Sequence, residues 1–213
     1  APDNLEISLK KIENFVSQSI YRNIEWEKIR LLGGEPTLHS KFEEILYILA
    51  EYKSAFPKSR LEIVTNNHGR EVKRNLLKVP PFFHIETNKK KFFYPFNIAP
   101  RDLPFMDNID YSNGCSNLET CGMALTPLGY YPCSLSGGID HIASWKIGLE
   151  NIPSDDNDMT DILEKTCPYC GRFTQRIFLP RDIDFNFKPE VKSNSWIALY
   201  RRNDKKSRPG DTK

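Results

Sequence analysis

Apolar residues near the start of the chain recur every three or four positions, which is the spacing of one face of an α-helix. The pattern runs through Leu5, Leu9, Ile12, Phe15, Val16 and Ile20. It predicts an amphipathic helix over residues 6–22. A short apolar run, Lys28–Leu32, follows this segment and stops at two glycines, so it predicts a buried strand.

A second helix is predicted to begin at Ser40, because its hydroxyl can cap the helix while Glu43 reaches back to complete a capping box. Its buried face is predicted to consist of Phe42, Ile45, Leu46, Leu49 and Phe56. Further strands are predicted at residues 61–65 and 82–87, with a short helix at 70–77 between them. This alternation of strands and helices is typical of βαβ units and a parallel sheet.

The periodic pattern ends near residue 94, where Pro95, Pro100 and Pro104 punctuate a stretch without regular spacing. We interpret residues 95–111 as a linker between an α/β domain, 1–94, and a loop-rich domain, 112–178, that holds every cysteine. Residues 179–213 form a C-terminal segment. Its polar, basic end, RRNDKKSRPGDTK, is predicted to be disordered.

Composition excludes several classes of protein. The chain has 213 residues, 39% of them hydrophobic and 27% charged, which is typical of a globular protein with a real core. A net charge of +2 does not indicate nucleic acid or a membrane surface as a partner, and no apolar run approaches the roughly 18 residues of a membrane span. Five cysteines, an odd number that includes a C-x-x-C pair, favour a metal site over disulfides, and we expect a reducing cytoplasm.

The first predicted strand ends in the sequence IRLLGGEPTLH. In a parallel α/β sheet, ligands bind at the carboxyl ends of the strands, and glycines there let the backbone approach a ligand closely. The carboxylate of Glu35 beside free backbone carbonyls suits a cationic ammonium group. The same residues also suit a tight turn whose glutamate is solvated, and the residues alone leave both interpretations open.

The run LLGGEPTLH closely resembles the GGEP motif of radical S-adenosylmethionine (SAM) enzymes, and IVTNN resembles their Thr-Asn-Gly turn, with Asn67 in place of the glycine. The resemblance covers residues 5–90 and implies an α/β fold, a partial (β/α)6 barrel, followed by the small cysteine domain. It also implies that the glutamate and glycines bind the methionine ammonium of SAM. The residues that it assigns to cofactor binding are Gly33, Gly34, Glu35, Pro36, Thr65 and Asn66.

One part of the family's pattern is missing. Radical SAM enzymes carry C-x-x-x-C-x-x-C ahead of the GGEP motif, where three thiolates hold the [4Fe–4S] cluster that cleaves SAM. This sequence has no cysteine before Cys115. We therefore expect the chain to be part of a longer enzyme and inactive by itself, with a degenerate homologue as the alternative. No catalytic side chain is predicted.

The cysteine-rich half resembles the auxiliary-cluster domains called SPASM and Twitch. Those domains place a cysteine before a β-hairpin, a glycine at the turn and a Pro-Cys at its far end, with a later C-x-x-C. The matching residues here are Cys121, Gly129, Pro132 with Cys133, and Cys167 with Cys170. Four thiolates of this kind hold an iron–sulfur cluster, and the single C-x-x-C implies the one-cluster Twitch arrangement with one auxiliary [4Fe–4S] cluster.

Two alternatives remain at this predicted site. Cys115 is an extra cysteine that either replaces Cys121 as a ligand or stays a free thiol. The sequence CPYCG also resembles a zinc-ribbon turn, and thiolate spacing cannot separate zinc from iron–sulfur because both accept the same ligands.

The function expected from these resemblances is that of an oxidoreductase or transferase. Its 5′-deoxyadenosyl radical would abstract hydrogen from an unidentified small-molecule or peptide substrate, with a flavodoxin- or ferredoxin-type protein as electron donor. Two other classes stay open. One is a non-catalytic zinc- or cluster-binding module, and the other is a nucleic-acid-binding protein, which only the basic tail favours.

Overall fold

The computed structural model describes residues 5–87, 92–93, 97–106, 108–173, 179–180 and 192–206. The chain divides into two compact units, one comprising residues 6–90 and the other residues 91–213 together with residues 1–5. We call them the α/β unit and the cysteine unit. No helix in the described part of the chain is both long and apolar enough to cross a bilayer.

The α/β unit alternates helices with strands, as the hydrophobic pattern predicts. Its elements are α1 (Leu9–Tyr21), β1 (Lys28–Leu31), α2 (Phe42–Ala55), β2 (Arg60–Thr65), α3 (Arg70–Leu76) and β3 (Phe83–Thr87). The three strands form one parallel sheet in the order β1-β2-β3. Leu31 of β1 stands opposite Ile63 of β2, and Thr65 of β2 stands opposite Thr87 of β3, so the carboxyl ends of the strands share one edge.

The predicted partial (β/α)6 barrel is wrong. The described strands make a three-stranded open sheet and two separate two-stranded antiparallel pairs, and no barrel closes. A barrel requires the strands to continue, tilted and staggered, until the last one pairs with the first. Hydrophobic alternation predicts which neighbours pair, but it carries no information about closure.

One face of the sheet is apolar and the other is charged. Leu61 and Ile63 are fully buried and pack with apolar residues of α1 and α2, including Val16 and Leu49. Between them in sequence, Glu62 points to the opposite face, because successive side chains of a strand alternate. This alternation gives the α/β unit a single-sided hydrophobic core.

Two arginines neutralise Glu62 on the charged face. Its Oε1 accepts from Arg60 Nε at 2.6 Å and its Oε2 from Arg30 Nε at 2.7 Å. Arg30 Nη2 also reaches Glu86 Oε2 at 3.0 Å. The Glu62 side chain is only 2% exposed. Burial raises its pKa, but the hydrogen bond from Arg30 and the charges of Arg30, Arg60 and Lys28 outweigh burial and leave the pKa lowered.

The predicted capping box at Ser40 is wrong. Helix α2 begins at Phe42, with Lys41 as its N-cap residue and no side-chain cap. The Ser40 hydroxyl donates instead to Glu6 Oε2 at 2.5 Å, and the Ser40 backbone N–H donates to Glu6 Oε1 at 3.0 Å. A carboxylate from the segment before α1 therefore takes the place of Glu43, because two hydrogen bonds to a charged acceptor are stronger than one local cap.

The cysteine unit contains short elements and small apolar clusters. Its described elements are β4 (Phe92–Phe93), α4 (Asn117–Cys121), β5 (Ala124–Thr126), β6 (Gly129–Tyr131), α5 (Ser134–Ala143), α6 (Thr160–Thr166), β7 (Leu179–Pro180) and α7 (Asn194–Lys206). Strand β5 pairs with β6, and β4 pairs with β7, both antiparallel. One apolar cluster surrounds Trp196 and Ile139, and another surrounds Tyr131 and Ile162.

The predicted hairpin is present as the β5–β6 pair. Gly129 has φ +132°, and a Cβ there would stand 2.5 Å from the carbonyl oxygen of Leu149, so only glycine fits. Tyr131 donates a hydrogen bond to Oδ2 of Asp140, which is fully buried. The other bonds to Asp140 come from the backbone N–H groups of Lys146 at 2.8 Å and Ile147 at 3.0 Å. This carboxylate ties the hairpin to α5 and to the loop that follows it.

Helix α7 replaces part of the tail that was predicted to be disordered. It runs through Lys206, while residues 207–213 lie outside the described part of the chain. Trp196 is fully buried, and its Nε1 donates to the carbonyl of Tyr169 at 2.8 Å. Leu199, one turn on, is 3% exposed. Burial of these two side chains anchors the helix, and composition alone does not reveal it.

Candidate functional site

The carboxylate of Glu35 lies at the carboxyl ends of β1 and β2 and joins the loops that follow them. Its Oε1 accepts from the hydroxyl of Thr37 at 2.7 Å and from the Thr37 backbone N–H at 3.3 Å. The hydroxyl of Thr65 stands 2.9 Å from both carboxylate oxygens. The backbone N–H of Asn66 donates to Oε2 at 2.9 Å. The partly buried Glu35 is therefore held in place by its neighbours.

All of these donors are neutral. Among the described residues, no lysine or arginine forms an ion pair with Glu35. A carboxylate offers about four acceptor positions. Oε1 is surrounded by three donor contacts, whereas Oε2 accepts from Asn66 and shares the Thr65 proton, so Oε2 keeps room for a further donor. A fixed negative charge without a cation beside it suits a cationic ligand.

The two glycines before Glu35 are not needed by the fold. Neither has a left-handed backbone, and a Cβ built on Gly33 or Gly34 meets nothing within 4 Å. Both glycines are exposed. Neither conformation nor packing requires glycine here, so the backbone at these two positions is open to solvent.

The turn after β2 brings Thr65 and Asn66 to Glu35. Thr65 is 1% exposed, and its hydroxyl also accepts from the Asn67 backbone N–H at 2.9 Å. Asn67 has φ +51°, in the left-handed region. Asparagine is one of the few residues other than glycine that adopt this conformation readily.

Two residues near Glu35 were missed by the sequence reasoning. Thr37 supplies two of the donors to the carboxylate, and its own carbonyl accepts from Asn75 Nδ2 of α3 at 2.8 Å. The signal for Thr37 was its position two residues after the glutamate, which is the spacing of a side-chain cap on a short helix. Asn75 gave no signal, because it lies 38 positions away in sequence.

The five cysteines of the cysteine unit differ in burial. Cys133, Cys167 and Cys170 are buried, Cys115 is partly buried, and Cys121 is exposed. Burial raises the pKa of the Cys167 thiol, and the charges of Cys170, Cys133 and Cys115 raise it further.

Backbone packing is consistent with Cys115 as the fourth member. The neighbouring Gly114 has φ +62°, and a Cβ there would stand 3.3 Å from the side chain of Leu163 in α6, the helix that leads into Cys167. Cys121 ends α4, where its sulfur accepts only a long 3.8 Å contact from Thr120. Cys115 is less exposed than Cys121, which makes it the better candidate for a fourth ligand.

The CPYC segment has local geometry suited to thiolates. Cys167–Tyr169 form a turn of 3₁₀ helix, and the Cys170 N–H donates to the Cys167 carbonyl at 2.9 Å, which places both sulfurs on one turn. Burial raises the pKa of Cys170 to about 12, while a hydrogen bond from the Arg172 backbone N–H acts in the opposite direction. Hydrogen bonds from backbone N–H groups to sulfur are a normal feature of metal-bound cysteines.

The thiols are neighbours without being at ligand distances from one common point. In the described part of the chain, no three His, Cys, Asp or Glu side chains converge as a metal-holding group. The thiols affect one another's pKa although they do not converge, because charges interact over longer distances than a metal–sulfur bond spans. The composition of the set decides the fit, since four cysteines are the donors of structural zinc and of [4Fe–4S] clusters.

Two buried hydroxyls lie beside the cysteines. Ser136 Oγ stands 3.5 Å from Cys133 Sγ and 2.9 Å from Thr166 Oγ1. Thr166 directly precedes Cys167, and its hydroxyl donates to the Ile162 carbonyl at 2.7 Å. Sequence reasoning missed both hydroxyls, because serine and threonine inside helices carry no distinctive pattern.

Comparison of the chain with protein-family models, with curated proteins and with solved structures gives no significant match.

Proposed function

We propose that this chain is part of a radical SAM enzyme, that its Glu35 site binds the methionine ammonium of SAM, and that its cysteines hold one auxiliary [4Fe–4S] cluster. The observation that carries the proposal is the carboxylate of Glu35, fixed by neutral donors at the carboxyl edge of a parallel sheet. Two exposed glycines that the fold does not need lie directly before it.

The residues at this edge have separate tasks in the proposal. Glu35 accepts an N–H of the ammonium at Oε2, and Thr37, Thr65 and Asn66 keep the carboxylate from rotating away. Gly33 and Gly34 leave the backbone open, so carbonyls can take the other two ammonium protons. When SAM is bound next to a reduced cluster, it supplies the 5′-deoxyadenosyl radical that abstracts hydrogen from substrate.

The cysteine unit contributes four ligands in the proposal: Cys115, Cys133, Cys167 and Cys170. Three of them are buried, and a [4Fe–4S] cluster there is screened from water. Cys121 stays outside the set. The substrate is a small molecule or a peptide, the electron donor is a flavodoxin- or ferredoxin-type protein, and a reducing cytoplasm keeps the thiols unpaired.

The test of the Glu35 site is calorimetry with two ligands. SAM carries the ammonium, whereas 5′-methylthioadenosine retains the nucleoside and lacks the amino acid. We expect Glu35→Gln to weaken SAM binding by about tenfold, the value of one charged hydrogen bond, and to leave 5′-methylthioadenosine unchanged. Glu51→Gln, on the exposed face of α2, serves as the matched control.

The two ligands separate recognition from structural damage. An equal loss of affinity for SAM and for 5′-methylthioadenosine in Glu35→Gln would show that the carboxylate only supports the loop. Failure of the wild-type chain to bind SAM would contradict the cofactor site altogether.

A non-catalytic zinc module is the second candidate, and the CPYCG turn favours it. Metal analysis of the anaerobically reconstituted chain distinguishes the two. About four irons with matching sulfide support the cluster, whereas one zinc and no iron support the module. We expect Cys115→Ser to lose the metal and Cys121→Ser to keep it. Loss of metal in Cys121→Ser but not in Cys115→Ser would show that Cys121, rather than Cys115, is the fourth ligand.

A further inference from the structure

We propose that Glu6 and His39 hold the loop that carries Glu35 against the segment before α1, and that this restraint keeps the carboxylate positioned for the ammonium of SAM. The inference rests on the Glu35 site proposed above and deepens it. Glu6 and His39 are positioning residues, since neither is offered as a contact of the ligand. We call their contacts between the two segments the α1 link.

The Glu35 carboxylate and the α1 link lie at opposite ends of one short turn. Glu35 is the N-cap residue of the 3₁₀ turn Pro36–Leu38, and His39 is its C-cap residue. The Leu38 N–H donates to the Glu35 carbonyl at 3.1 Å, and the His39 N–H donates to the Pro36 carbonyl at 3.2 Å. Because two consecutive hydrogen bonds make the turn one unit, a displacement at His39 also moves Glu35.

Both nitrogens of the His39 ring take part in hydrogen bonds. Nε2 lies 2.9 Å from the carbonyl oxygen of Ile7, and Nδ1 accepts from the Lys41 backbone N–H at 2.9 Å. Since a carbonyl oxygen only accepts and a backbone N–H only donates, the ring is neutral with its single proton on Nε2. His39 is partly buried, so it joins residues 32 positions apart at a place from which water is partly excluded.

Glu6 forms the second half of the α1 link. Its Oε2 accepts from the Ser40 hydroxyl at 2.5 Å, and its Oε1 accepts from the Ser40 backbone N–H at 3.0 Å. These two hydrogen bonds favour the charged carboxylate and lower the pKa of Glu6. An ionised carboxylate accepts at both oxygens, which is why one side chain takes both donors of Ser40.

The segment before α1 is itself held by the core of the α/β unit. Ser8 is the N-cap residue of α1, and Ile12 and Val16 of that helix are buried in the same apolar cluster as residues of α2. Glu6 and Ser40, in contrast, are exposed. The α1 link therefore adds little to the apolar core, and its main effect is on the position of the loop.

The α1 link acts on SAM affinity through the population of one loop conformation. When a ligand binds only one conformation, its apparent affinity falls with the fraction of molecules that adopt that conformation. Thr65 and Asn66 hold the carboxylate of Glu35 directly, whereas the link holds the far end of the turn. Loss of one neutral hydrogen bond there corresponds to about fivefold in that population.

The test measures binding of SAM and of 5′-methylthioadenosine by calorimetry in four variants of the full chain. His39→Asn keeps an acceptor for the Lys41 N–H but is too short to reach Ile7, whereas His39→Gln keeps a donor near the position of Nε2. Glu6→Ala removes the second half of the link. Glu13→Ala removes an exposed carboxylate of α1 and is the matched control. Nitrogen-15 NMR of the ligand-free wild-type chain identifies which ring nitrogen of His39 carries the proton.

We expect His39→Asn to raise the Kd for SAM by about fivefold and Glu6→Ala to raise it by less, because water competes for the exposed contact with Ser40. His39→Gln and Glu13→Ala should bind SAM as the wild type does, all four variants should bind 5′-methylthioadenosine normally, and the NMR spectrum should show the proton on Nε2. An equal loss of affinity for both ligands, or a proton on Nδ1, would overturn the inference. Wild-type SAM affinity in His39→Asn and Glu6→Ala would overturn it as well and leave the Glu35 site standing. No SAM binding by the wild-type chain would overturn the Glu35 site and the inference with it.

Discussion

The α/β unit and the cysteine unit stabilise their folds in different ways. In the first, buried side chains such as Leu49, Leu61 and Ile63 form one continuous cluster under a regular sheet. In the second, the apolar clusters are smaller, and three cysteines are buried close to them. The comparison teaches that hydrophobic periodicity predicts a fold well only where apolar burial is the main source of its stability.

The units also differ in how they stabilise a buried carboxylate. Glu62 of the α/β unit meets the guanidinium groups of Arg30 and Arg60. Asp140 of the cysteine unit accepts from a tyrosine hydroxyl and two backbone N–H groups. Because Glu62 pairs with arginine side chains, the backbone groups of its strand stay available for hydrogen bonds within the sheet. Asp140 instead accepts from backbone N–H groups of a loop and thereby fixes a segment that no sheet holds in place.

If the cysteines bind metal as proposed, its removal is the largest expected perturbation, and it acts on the cysteine unit alone. Structural zinc contributes about 10–16 kcal/mol in small metal-dependent folds, because ligand binding and folding are one process there. We expect chelation to abolish hydrogen-exchange protection in residues 115–170 while β2 and α2 keep theirs. Unchanged protection in both units would show that the thiols do not organise the fold.

Truncation of a core side chain in the α/β unit should destabilise that unit and leave the cysteine unit unchanged. Leu61→Ala deletes a fully buried side chain of the central strand, and we expect a loss of about 3–4 kcal/mol in the free energy of unfolding of the α/β unit. Urea denaturation followed by exchange would locate the loss. Leu77→Ala is the control, since Leu77 is 87% exposed and its removal should cost almost nothing. Equal losses in both variants would contradict the assigned core.

Glu62→Gln should destabilise the α/β unit by about 2 kcal/mol, less than a fully buried pair, because Arg30 and Arg60 are partly exposed. The pKa of Glu62 is lowered in the folded state. Its contribution is therefore complete above the unfolded value, near pH 4, and lost as pH falls through the folded pKa.

We thus expect the difference between wild type and Glu62→Gln to be full at neutral pH and to shrink below about pH 4. Urea midpoints at a series of pH values measure it. Glu71→Gln, an exposed pair with Arg74, should show little difference at any pH. A difference for Glu62→Gln that does not change with pH would exclude the ionic explanation.

The smallest effect on stability is expected at Gly34. Because a Cβ there meets nothing and the backbone is not left-handed, Gly34→Ala should fold normally and gain at most about 1 kcal/mol from a less flexible unfolded state. SAM affinity should nevertheless fall. Gly129→Ala is the contrasting variant, since its Cβ collides with the backbone of Leu149, and it should lose stability in thermal denaturation. Unimpaired SAM binding by Gly34→Ala would remove the ligand argument for the glycine pair.

Much of the α/β unit was predictable, and the reason is local. The spacing of apolar residues placed α1, α2 and the three strands close to their observed bounds, because side-chain periods of 3.6 and 2 follow from backbone geometry. The glycines and glutamate of the first loop were also found from sequence. The prediction of a helix cap at Ser40 was wrong, because the observed partner of Ser40 is Glu6, which lies 34 positions away in sequence.

The sequence by itself determined where helices and strands of the α/β unit form, that its sheet is parallel, and which residue types carry chemistry. Only the tertiary structure decided that the described sheet stays open, that Thr37 and Thr65 hold Glu35, and that Cys133, Cys167 and Cys170 are buried while Cys121 is exposed. The hydrophobic periodicity of a helix or strand can be detected from residues that are close in sequence. Contacts between distant residues depend on the packing of the whole unit, to which every side chain contributes a little and none leaves a local mark.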